Sequence, residues 1–261
     1  MKIFLYSYES KAGFSRPVTA HSFLLRAVPF DDEVQTLMES SVEITSGPCR
    51  LSTSTDVWGS EIVYGHISDP HDSFSYVSKG KIIVREGRRR EENPSPVYLL
   101  PSQSAAYDAS MAELLRDGSA EQSAMEMALA VKEKMAYVPC STGTTTTALQ
   151  AYSQSCGVCQ DFSHILIALC RHKGIPARYV CGFYEGEGET HAWVEIWDSG
   201  QWIGIDPTAG RMCDDRYIAI GRGRDAADCP VNRGLFTGIV TQSTETVVKV
   251  NEIKEDGKDN I

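Results

Sequence analysis

The strongest structural signal in this 261-residue chain is an amphipathic helix that is predicted to begin near Cys159. Apolar residues recur after it at the three- and four-residue spacing of a helix with one buried face: Phe162, Ile165, Leu166, Leu169 and Cys170. Gly174 ends the pattern and Pro176 follows, which is typical of a helix C-terminus. Cys159 therefore lies in or just before the first turn, where unpaired backbone N–H groups and the helix dipole favour a thiolate. Gly157 leaves room for another chain to approach this sulfur, so the position suits attack on a carbonyl.

Two predicted strands joined by a tight turn follow this helix in the chain. His191–Trp197 alternates like a strand with one buried face, and Trp202–Asp206 is a second strand. If Ser199-Gly200 forms a two-residue loop, His191 lies one diagonal step from Asp206 on the same face of the sheet. Diagonal neighbours have α-carbons about 7–8 Å apart, which lets an imidazole and a carboxylate meet. The chain thus supplies, in order, a nucleophile on a helix, a base on one strand and an orienting carboxylate on the next.

Three short segments resemble the motifs of the bacterial transglutaminase-like proteins, which are members of the papain-like cysteine enzyme superfamily. In chain order these segments are Gly157-Val158-Cys159-Gln160-Asp161-Phe162, His191-Ala192-Trp193-Val194-Glu195 and Asp206-Pro207-Thr208. The similarity extends to Tyr137-Val138-Pro139 and Gly223-Arg224-Asp225, and more loosely to the β-rich N-terminal region of the family. The resemblance implies that Cys159 is the nucleophile, His191 the general base and acid, and Asp206 the carboxylate that orients the imidazole.

The resemblance also implies an α+β fold, a papain-like transglutaminase core preceded by a β-rich N-terminal domain. Residues 1–92 are predicted to form the β-rich domain, and a charged stretch followed by Pro94 and Pro96 marks its end. Residues 97–250 are predicted to form the catalytic domain, in which the nucleophile helix packs on an antiparallel sheet. Residues 251–261 are predicted to be a charged, disordered tail.

Apolar patterns and turn residues give the elements of the two domains. The first domain has six predicted strands: Ile3–Ser7, Val18–Val28, Ser41–Thr45, Glu61–Ile67, Phe74–Ser78 and Lys81–Arg85. Turns between them are predicted at Trp58-Gly59-Ser60 and Lys79-Gly80. The second domain has predicted helices at Ser104–Arg116 and Ala120–Ala136, and a closing hairpin of Phe236–Thr241 and Thr244–Val250.

Charge and composition narrow the classes of partner. A net charge of −10 argues against a nucleic-acid or anionic-membrane surface. The N-terminal apolar run is too short for a signal peptide, and no stretch is long enough to span a membrane. Eight cysteines without an export signal indicate reduced thiols in the cytoplasm. No metal or other cofactor is expected, and the resemblance implies a peptide or protein substrate.

The implied chemistry is acyl transfer through a thioester. The thiolate of Cys159 attacks an amide carbonyl, and the oxyanion is held by the Cys159 backbone N–H and a second donor, either Tyr137 or Gln154. Trp193, on the strand face of His191, is a candidate wall of the substrate site. Water as the acceptor makes the protein a peptidase or amidase, whereas an amine makes it a transglutaminase. Hydrolysis is favoured because water is always present and no lysine-recruiting feature is visible.

Two other interpretations stay open. Cys156 and Cys159 form a C-x-x-C pattern, which also occurs in redox pairs and zinc sites. Zinc would need two further ligands, and the candidates Cys170 and His172 point to different helix faces. The second interpretation is a non-catalytic module that binds peptides in the same groove. The presence of all three residues, Cys159, His191 and Asp206, argues against it.

Overall fold

The computed structural model describes residues 1–253, whose strands form two large sheets and one small one. In chain order the strands are β1 (Lys2–Leu25), β2 (Gln35–Ile44), β3 (Leu51–Thr55), β4 (Glu61–Ile67), β5 (His71–Val84), β6 (Ala136–Tyr137), β7 (Cys156–Gly157), β8 (Ala177–Tyr184), β9 (Gly186–Gly188), β10 (His191–Asp198), β11 (Gln201–Asp206), β12 (Arg211–Met212), β13 (Tyr217–Gly223), β14 (Asn232–Thr237) and β15 (Gln242–Ile253). The α-helices are α1 (Ala120–Lys134), α2 (Ala148–Gln154) and α3 (Cys159–His172), and short 3-10 helices span Pro96–Leu99 and Ala109–Leu114. No helix within the described residues combines the length and apolar character needed to span a membrane.

The first sheet is built around β1, a strand of 24 residues. β5 pairs with one edge of its N-terminal half and β15 with the other, giving the order β2-β5-β1-β15-β9. Beyond an irregularity after Gly13, the C-terminal half of β1 pairs with β4 and β14 instead. Alternate residues such as Phe4, Tyr6 and Tyr8 are buried, as expected for a strand with one face on the core.

The second sheet is antiparallel and has the order β12-β11-β10-β8-β13. α3 packs on β10 and β8, and α1 and α2 also pack against α3. Every residue of α3 from Asp161 to Arg171 is consequently buried, which is more than the single buried face that was predicted. The predicted turn between β10 and β11 is confirmed, because Ser199 and Gly200 both have the positive φ of a two-residue hairpin loop.

The two large sheets share one hydrophobic core. Tyr6 and Tyr8 of β1 pack against Phe183 of β8, with ring centroids 5.6 and 5.5 Å apart. The buried side-chain amide of Gln35 donates to the carbonyl of Ala219 and accepts from its N–H. The first 92 residues therefore take part directly in the packing of the sheet that carries the candidate site.

The structure corrects several predicted boundaries in the first sheet. The strands predicted at Ile3–Ser7 and Val18–Val28 both fall in one long strand, β1, although β1 ends at Leu25. Those predicted at Phe74–Ser78 and Lys81–Arg85 likewise fall in β5. The turn predicted at Lys79-Gly80 is wrong, since both residues pair with β1.

Gly80 shows why the turn prediction failed. A β-carbon at this position would come within 2.3 Å of a backbone oxygen of β2 and 2.7 Å of the Tyr6 ring. The glycine is thus required by a close approach between neighbouring strands, which local sequence cannot reveal. β3 was not predicted, and Ser104–Arg116 contains a 3-10 helix and irregular chain in place of the predicted α-helix.

The C-terminal strands belong to the first sheet, although their residues fall largely within the predicted catalytic domain, 97–250, whose bounds stay a prediction. β14 and β15 are not paired with each other within the described residues, so the predicted closing hairpin is wrong. Both pair with β1, which is long enough to accept two successive partners along one chain. β15 runs to Ile253, so the start of the predicted tail, 251–261, is a strand, and residues 254–261 lie outside the described residues.

Candidate active site

Cys159 is the first residue of α3, and a buried carboxylate holds the start of this helix. Oδ2 of Asp161 accepts hydrogen bonds from the backbone N–H of Val158 at 2.8 Å and from the hydroxyl of Thr142 at 2.6 Å. A β-carbon at Gly157 would come within 2.7 Å of the Asp161 side chain. The helix start itself therefore needs a glycine here, in addition to the access to the sulfur that the sequence predicted.

His191 is the first residue of β10 and Asp206 is the last residue of β11, and their side chains are in contact. Nε2 of His191 lies 2.8 Å from Oδ2 of Asp206. The other carboxylate oxygen accepts hydrogen bonds from the backbone N–H groups of Thr208 and Ala209, at 2.9 and 3.0 Å. The diagonal contact predicted from the turn geometry is thus confirmed, while the chemical roles of the two residues stay predictions.

The Cys159 thiol also lies close enough to His191 to influence the charge on its imidazole. Burial by itself would lower the pKa of His191, but hydrogen bonds with Asp206 and Cys159 outweigh it and raise the pKa to about 9. Burial also opposes ionisation of Asp206, yet its hydrogen bond to His191 and its other donors bring the pKa below the ordinary value. At neutral pH a protonated imidazole therefore lies between the Asp206 carboxylate and the Cys159 sulfur. Because Nε2 is engaged by Asp206, Nδ1 is the ring nitrogen left for the sulfur.

Cys159 and His191 open onto a cleft of about 780 Å³. One wall comes from the start of α3, from β8 and from β10. Residues of β1, β14 and β15, which belong to the first sheet, also line the cleft. Both large sheets therefore border the space in which a substrate would meet the thiol.

Two family models match this chain, and both matched ranges include residues that line the cleft. Residues 108–207, which include Cys159, His191 and Asp206, match the transglutaminase-like superfamily. Residues 6–82 match the bacterial transglutaminase-like N-terminal region. The chain belongs to the transglutaminase-like superfamily. Membership associates the chain with cysteine-dependent acyl transfer.

Relatives of this transglutaminase-like chain include proteins from three bacteria. An uncharacterized protein of Mycobacterium leprae is 27% identical over 95% of this chain and 96% of its own length. A protein-glutamine gamma-glutamyltransferase of Pseudomonas aeruginosa is 30% identical, over 42% of this chain and 19% of that protein. A crystal structure from Cytophaga hutchinsonii, described as a candidate cysteine protease, has a TM-score of 0.78 at 22% identity. It covers 98% of this chain and 92% of its own, so the fold is shared across both sheets.

Tyr137 and Gln154, the two residues predicted as second oxyanion donors, lie in different surroundings. Tyr137 pairs with Gly157 in the small parallel sheet and lines the cleft. Burial and the neighbouring Cys159 and Glu189 raise the pKa of Tyr137, so its hydroxyl keeps the proton that a donor needs. Gln154 is exposed at the end of α2 and is absent from the cleft walls formed by the described residues. Only Tyr137 retains a geometric basis as the donor.

Trp193 does not lie where a substrate contact was predicted. Its side chain is 3% exposed and packs in a cluster with Phe30, Val180 and Tyr217. Its ring stacks beside His191, with centroids 6.4 Å apart. A side chain so deeply buried has little surface to offer a substrate, so this prediction is corrected. On this face of β10, His191 is partly exposed, whereas Trp193 and Glu195 further along the strand are buried.

Tyr217 is the site neighbour that the sequence did not reveal. Its hydroxyl donates a hydrogen bond to Oδ2 of Asp206 at 2.8 Å, the same oxygen that faces His191. Nε and Nη2 of Arg211 in turn donate to the Tyr217 oxygen at 3.2 and 3.1 Å. Tyr217 is the first residue of β13, the strand at one edge of the second sheet. The order of the strands in this sheet cannot be predicted from a local sequence pattern.

The cysteines bear on the C-x-x-C interpretation. All eight are free thiols, so Cys156 and Cys159 are not joined in this structure. No group of three His, Cys, Asp or Glu side chains within residues 1–253 is arranged to hold a metal ion. Of the further zinc ligands considered, Cys170 is buried in the core and His172 stacks on the ring of Tyr107. The zinc interpretation therefore has no ligand set in the described part of the chain.

Proposed function

We propose that this protein is a cysteine-dependent enzyme that cleaves an amide bond in a peptide or protein through a thioester. The observation that carries the proposal is the row of Cys159, His191 and Asp206, in which a thiol at a helix N-terminus faces an imidazole held by a carboxylate. The surroundings of the three residues suit a nucleophile, a base and an orienting carboxylate, in that order.

The catalytic steps follow from these environments. The proton of Cys159 resides on His191, and the thiolate attacks the amide carbonyl carbon. The developing oxyanion meets the backbone N–H of Cys159, at the first helical position, where an N–H has no intrahelical acceptor. The Tyr137 hydroxyl supplies the second hydrogen bond. His191 then protonates the leaving amine, and the acyl group stays on sulfur until an acceptor arrives.

Water is the acceptor that we favour. The cleft of about 780 Å³ is open to solvent at the thiol, and Cys159 is only partly buried. Water reaching the thioester would lose a proton to His191 and release the acid. A peptidase or amidase is the result, acting in the cytoplasm, where the eight free thiols would stay reduced.

Acyl transfer to an amine is the second candidate, and one cavity favours it. A space of about 320 Å³ beside His191 is lined by three acidic residues, Glu185, Glu187 and Glu189, and by Arg211. Such a rim would attract a primary ammonium group toward the base that must deprotonate it. The Pseudomonas aeruginosa relative, a protein-glutamine gamma-glutamyltransferase, is a reason to test this reaction.

The deciding experiment is mass spectrometry of a set of glutamine-containing peptides, incubated with the protein in the presence and absence of a primary amine. Free acid in both samples means hydrolysis, whereas incorporated amine means transfer. Cys159→Ala should abolish either product and keep the fold. Absence of any product with the wild-type chain would favour the peptide-binding alternative.

Cys156→Ser is the matched control for the nucleophile. It should retain most of the activity, because the proposed chemistry uses one thiol. Iodoacetamide at mildly acidic pH should label Cys159 before Cys156, since only Cys159 faces the imidazolium of His191. Equal labelling, or equal loss of activity in the two cysteine variants, would point to a redox pair instead.

A further inference from the structure

One strand of the first sheet borders the cleft with an unpaired edge. Within residues 1–253, β15 pairs with β1 along its whole length, but with β9 only from Val248 to Val250. Residues 242–247 therefore have a strand partner on one side only. Two of them, Thr244 and Thr246, line the cleft together with Cys159 and His191. We call Thr244 and Thr246 the open edge of β15.

The register shows where the backbone groups of this open edge point. Just before β15, the carbonyl of Thr241 accepts a hydrogen bond from the N–H of Ser15 on β1. In an antiparallel pair, such positions alternate with positions whose N–H and C=O groups point away from the partner strand. Counting from Thr241, the backbone groups of Thr244 and Thr246 therefore point away from β1. No strand within residues 1–253 pairs with them on that side.

β9 shows that this side of β15 accepts an antiparallel strand. Val248, two residues beyond Thr246, pairs there with Gly188 of β9. After Gly188 the chain leaves β15 and reaches His191, the first residue of β10, three residues later. Since three residues span about 10 Å at most, the paired end of β9 lies near the candidate base. The space in line with β9, beside Thr244 and Thr246, belongs to the cleft.

We propose that the open edge of β15 binds the main chain of the substrate as an added strand, in line with β9, while the reacting amide lies at Cys159. The backbone groups of Thr244 and Thr246 then exchange hydrogen bonds with every second residue of the peptide. Because this pairing recognises extended main chain, it assigns an extended peptide segment as the substrate class.

The size of the cleft agrees with this occupant. Its volume of about 780 Å³ falls in the range of roughly 300–1,000 Å³ that accommodates ligands larger than a single amide. The inference rests on the proposed function, because it concerns the substrate of the same thiol.

Backbone methylation of a peptide tests the pairing. The probe is the tightest-binding member of the glutamine-containing set, fluorescently labelled and measured by anisotropy with the Cys159→Ala chain. Methylation of one backbone nitrogen at a time should weaken binding at least about tenfold at alternate positions, and little at the positions between them. A loss at every position, at none, or without this two-residue period would overturn the inference.

Thr246→Pro removes a donor from the protein side. The N–H of Thr246 points away from β1, so proline there leaves the pairing with β1 in place. Added to Cys159→Ala, it should weaken binding about tenfold, whereas Thr246→Val keeps the N–H and should weaken it far less. Gln242→Pro is the matched control, because it removes an outward N–H of the same strand outside the cleft walls, and it should bind as the parent does.

Unchanged binding in folded Thr246→Pro, or an equal loss in Thr246→Val, would overturn the inference. If Thr246→Pro does not fold, the methylation series decides. The other occupant of such an edge is a second copy of the chain. A wild-type dimer that Thr246→Pro dissociates, measured by light scattering, would overturn the assignment to substrate.

Turnover separates this inference from the proposed reaction. Alternating losses of binding, with no product from the wild-type chain, support the inference while the proposed function fails. Product formation without alternation overturns the inference alone. Absence of both binding and product overturns both proposals.

Discussion

One oxygen atom, Oδ2 of Asp206, accepts hydrogen bonds from both His191 and Tyr217. The second oxygen accepts two backbone N–H groups, so four donors fix the carboxylate in one orientation. Burial first, and then the nearby Cys213 and Asp206, raise the pKa of Tyr217, which keeps its hydroxyl a donor. His191 consequently shares the negative charge of Asp206 with a second hydrogen-bond donor, the hydroxyl of Tyr217.

Because His191 and Tyr217 share this carboxylate, Asp206→Asn and Tyr217→Phe should shift the pH dependence of turnover in opposite directions. Because His191 has a pKa of about 9, it should lose its proton, and turnover should decline, as the pH rises through about 9. Asp206→Asn removes the negative charge, so the decline should move to lower pH. Tyr217→Phe removes a competing donor and concentrates the charge on His191, so the decline should move to higher pH, with kcat reduced by about tenfold. The measurement is the pH dependence of kcat for the three chains.

Tyr184→Phe is the control for that experiment. Tyr184 packs on the Tyr217 ring and lies near Arg211, but it is not bonded to Asp206. It should therefore leave the midpoint of the alkaline decline in place. If Tyr217→Phe also left the midpoint unchanged, the hydrogen bond to Asp206 would have no part in tuning the imidazole.

At the scale of elements, the sequence predicted those parts that local signals determine. The β10–β11 turn contains Ser199-Gly200, which suits a two-residue loop, and this alone places His191 against Asp206. α3 was found from its apolar spacing and from Gly174 at its end. In both cases the information lies within a few residues of chain.

The elements that failed are those defined by distant partners. β1 was divided in two because its pattern is interrupted around Gly13, where the strand changes partners. The pairing of β15 with β1 was not predicted, because nothing in β15 indicates a partner more than 200 residues away. The contact between Tyr217 and Asp206 was missed for the same reason, since it depends on strand order.

The start of α3 offers a prediction about a single element. Gly157→Ala would place a methyl group within 2.7 Å of Asp161, so the carboxylate must leave the Val158 N–H. Losing this hydrogen bond should cost about 1 kcal/mol of unfolding free energy and displace Cys159. Chemical denaturation should show the destabilisation, and iodoacetamide should react more slowly with Cys159.

Gly174→Ala, at the other end of the same helix, separates stability from reactivity. Gly174 has φ of +74° and open space around it, so alanine there costs about 1–2 kcal/mol through backbone strain alone. Its Cys159 should alkylate at the wild-type rate. Equal slowing in both variants would mean that reactivity only follows overall stability.

At the scale of the whole molecule, the first sheet and the transglutaminase-like core share one hydrophobic core within residues 1–253. Tyr6 and Tyr8 pack on Phe183, and β14 and β15 find their partner in β1. Contacts therefore cross the predicted boundary between residues 92 and 97, and the division into two domains stays a prediction. The family match to the N-terminal region therefore covers strands that contribute to this core.

A truncated chain that starts at Val97 should consequently fail to fold. It would leave β15 without β1 and expose Phe183, which is fully buried in the complete protein. Far-UV circular dichroism and a thermal melt of the fragment should show no cooperative transition. A cooperative melt together with retained Cys159 reactivity would show that residues 97–261 fold independently.

Glu195 links the two parts electrostatically and gives the last prediction. Its buried carboxylate binds Arg178 at 2.7 Å and Arg90, which also binds Asp32 of the first 92 residues. Burial alone would raise the pKa of Glu195, but Arg90, Arg178 and Arg222 outweigh it and lower the pKa to about 2. The ionised form therefore contributes stability that is fully present above the ordinary pKa of about 4.3 and is lost as the pH falls through 2.

Glu195→Gln should destabilise the protein by roughly 3–5 kcal/mol at pH 7, because it leaves buried guanidinium groups without their carboxylate. The difference from wild type should shrink as the pH falls from about 4.3 toward 2, since the wild-type carboxylate is then protonated as well. Urea unfolding of both chains at a series of pH values measures this difference. Glu9→Gln, at an exposed position of β1, should match wild type throughout. A difference that stayed constant with pH would show that Glu195 contributes through packing and not through its charge.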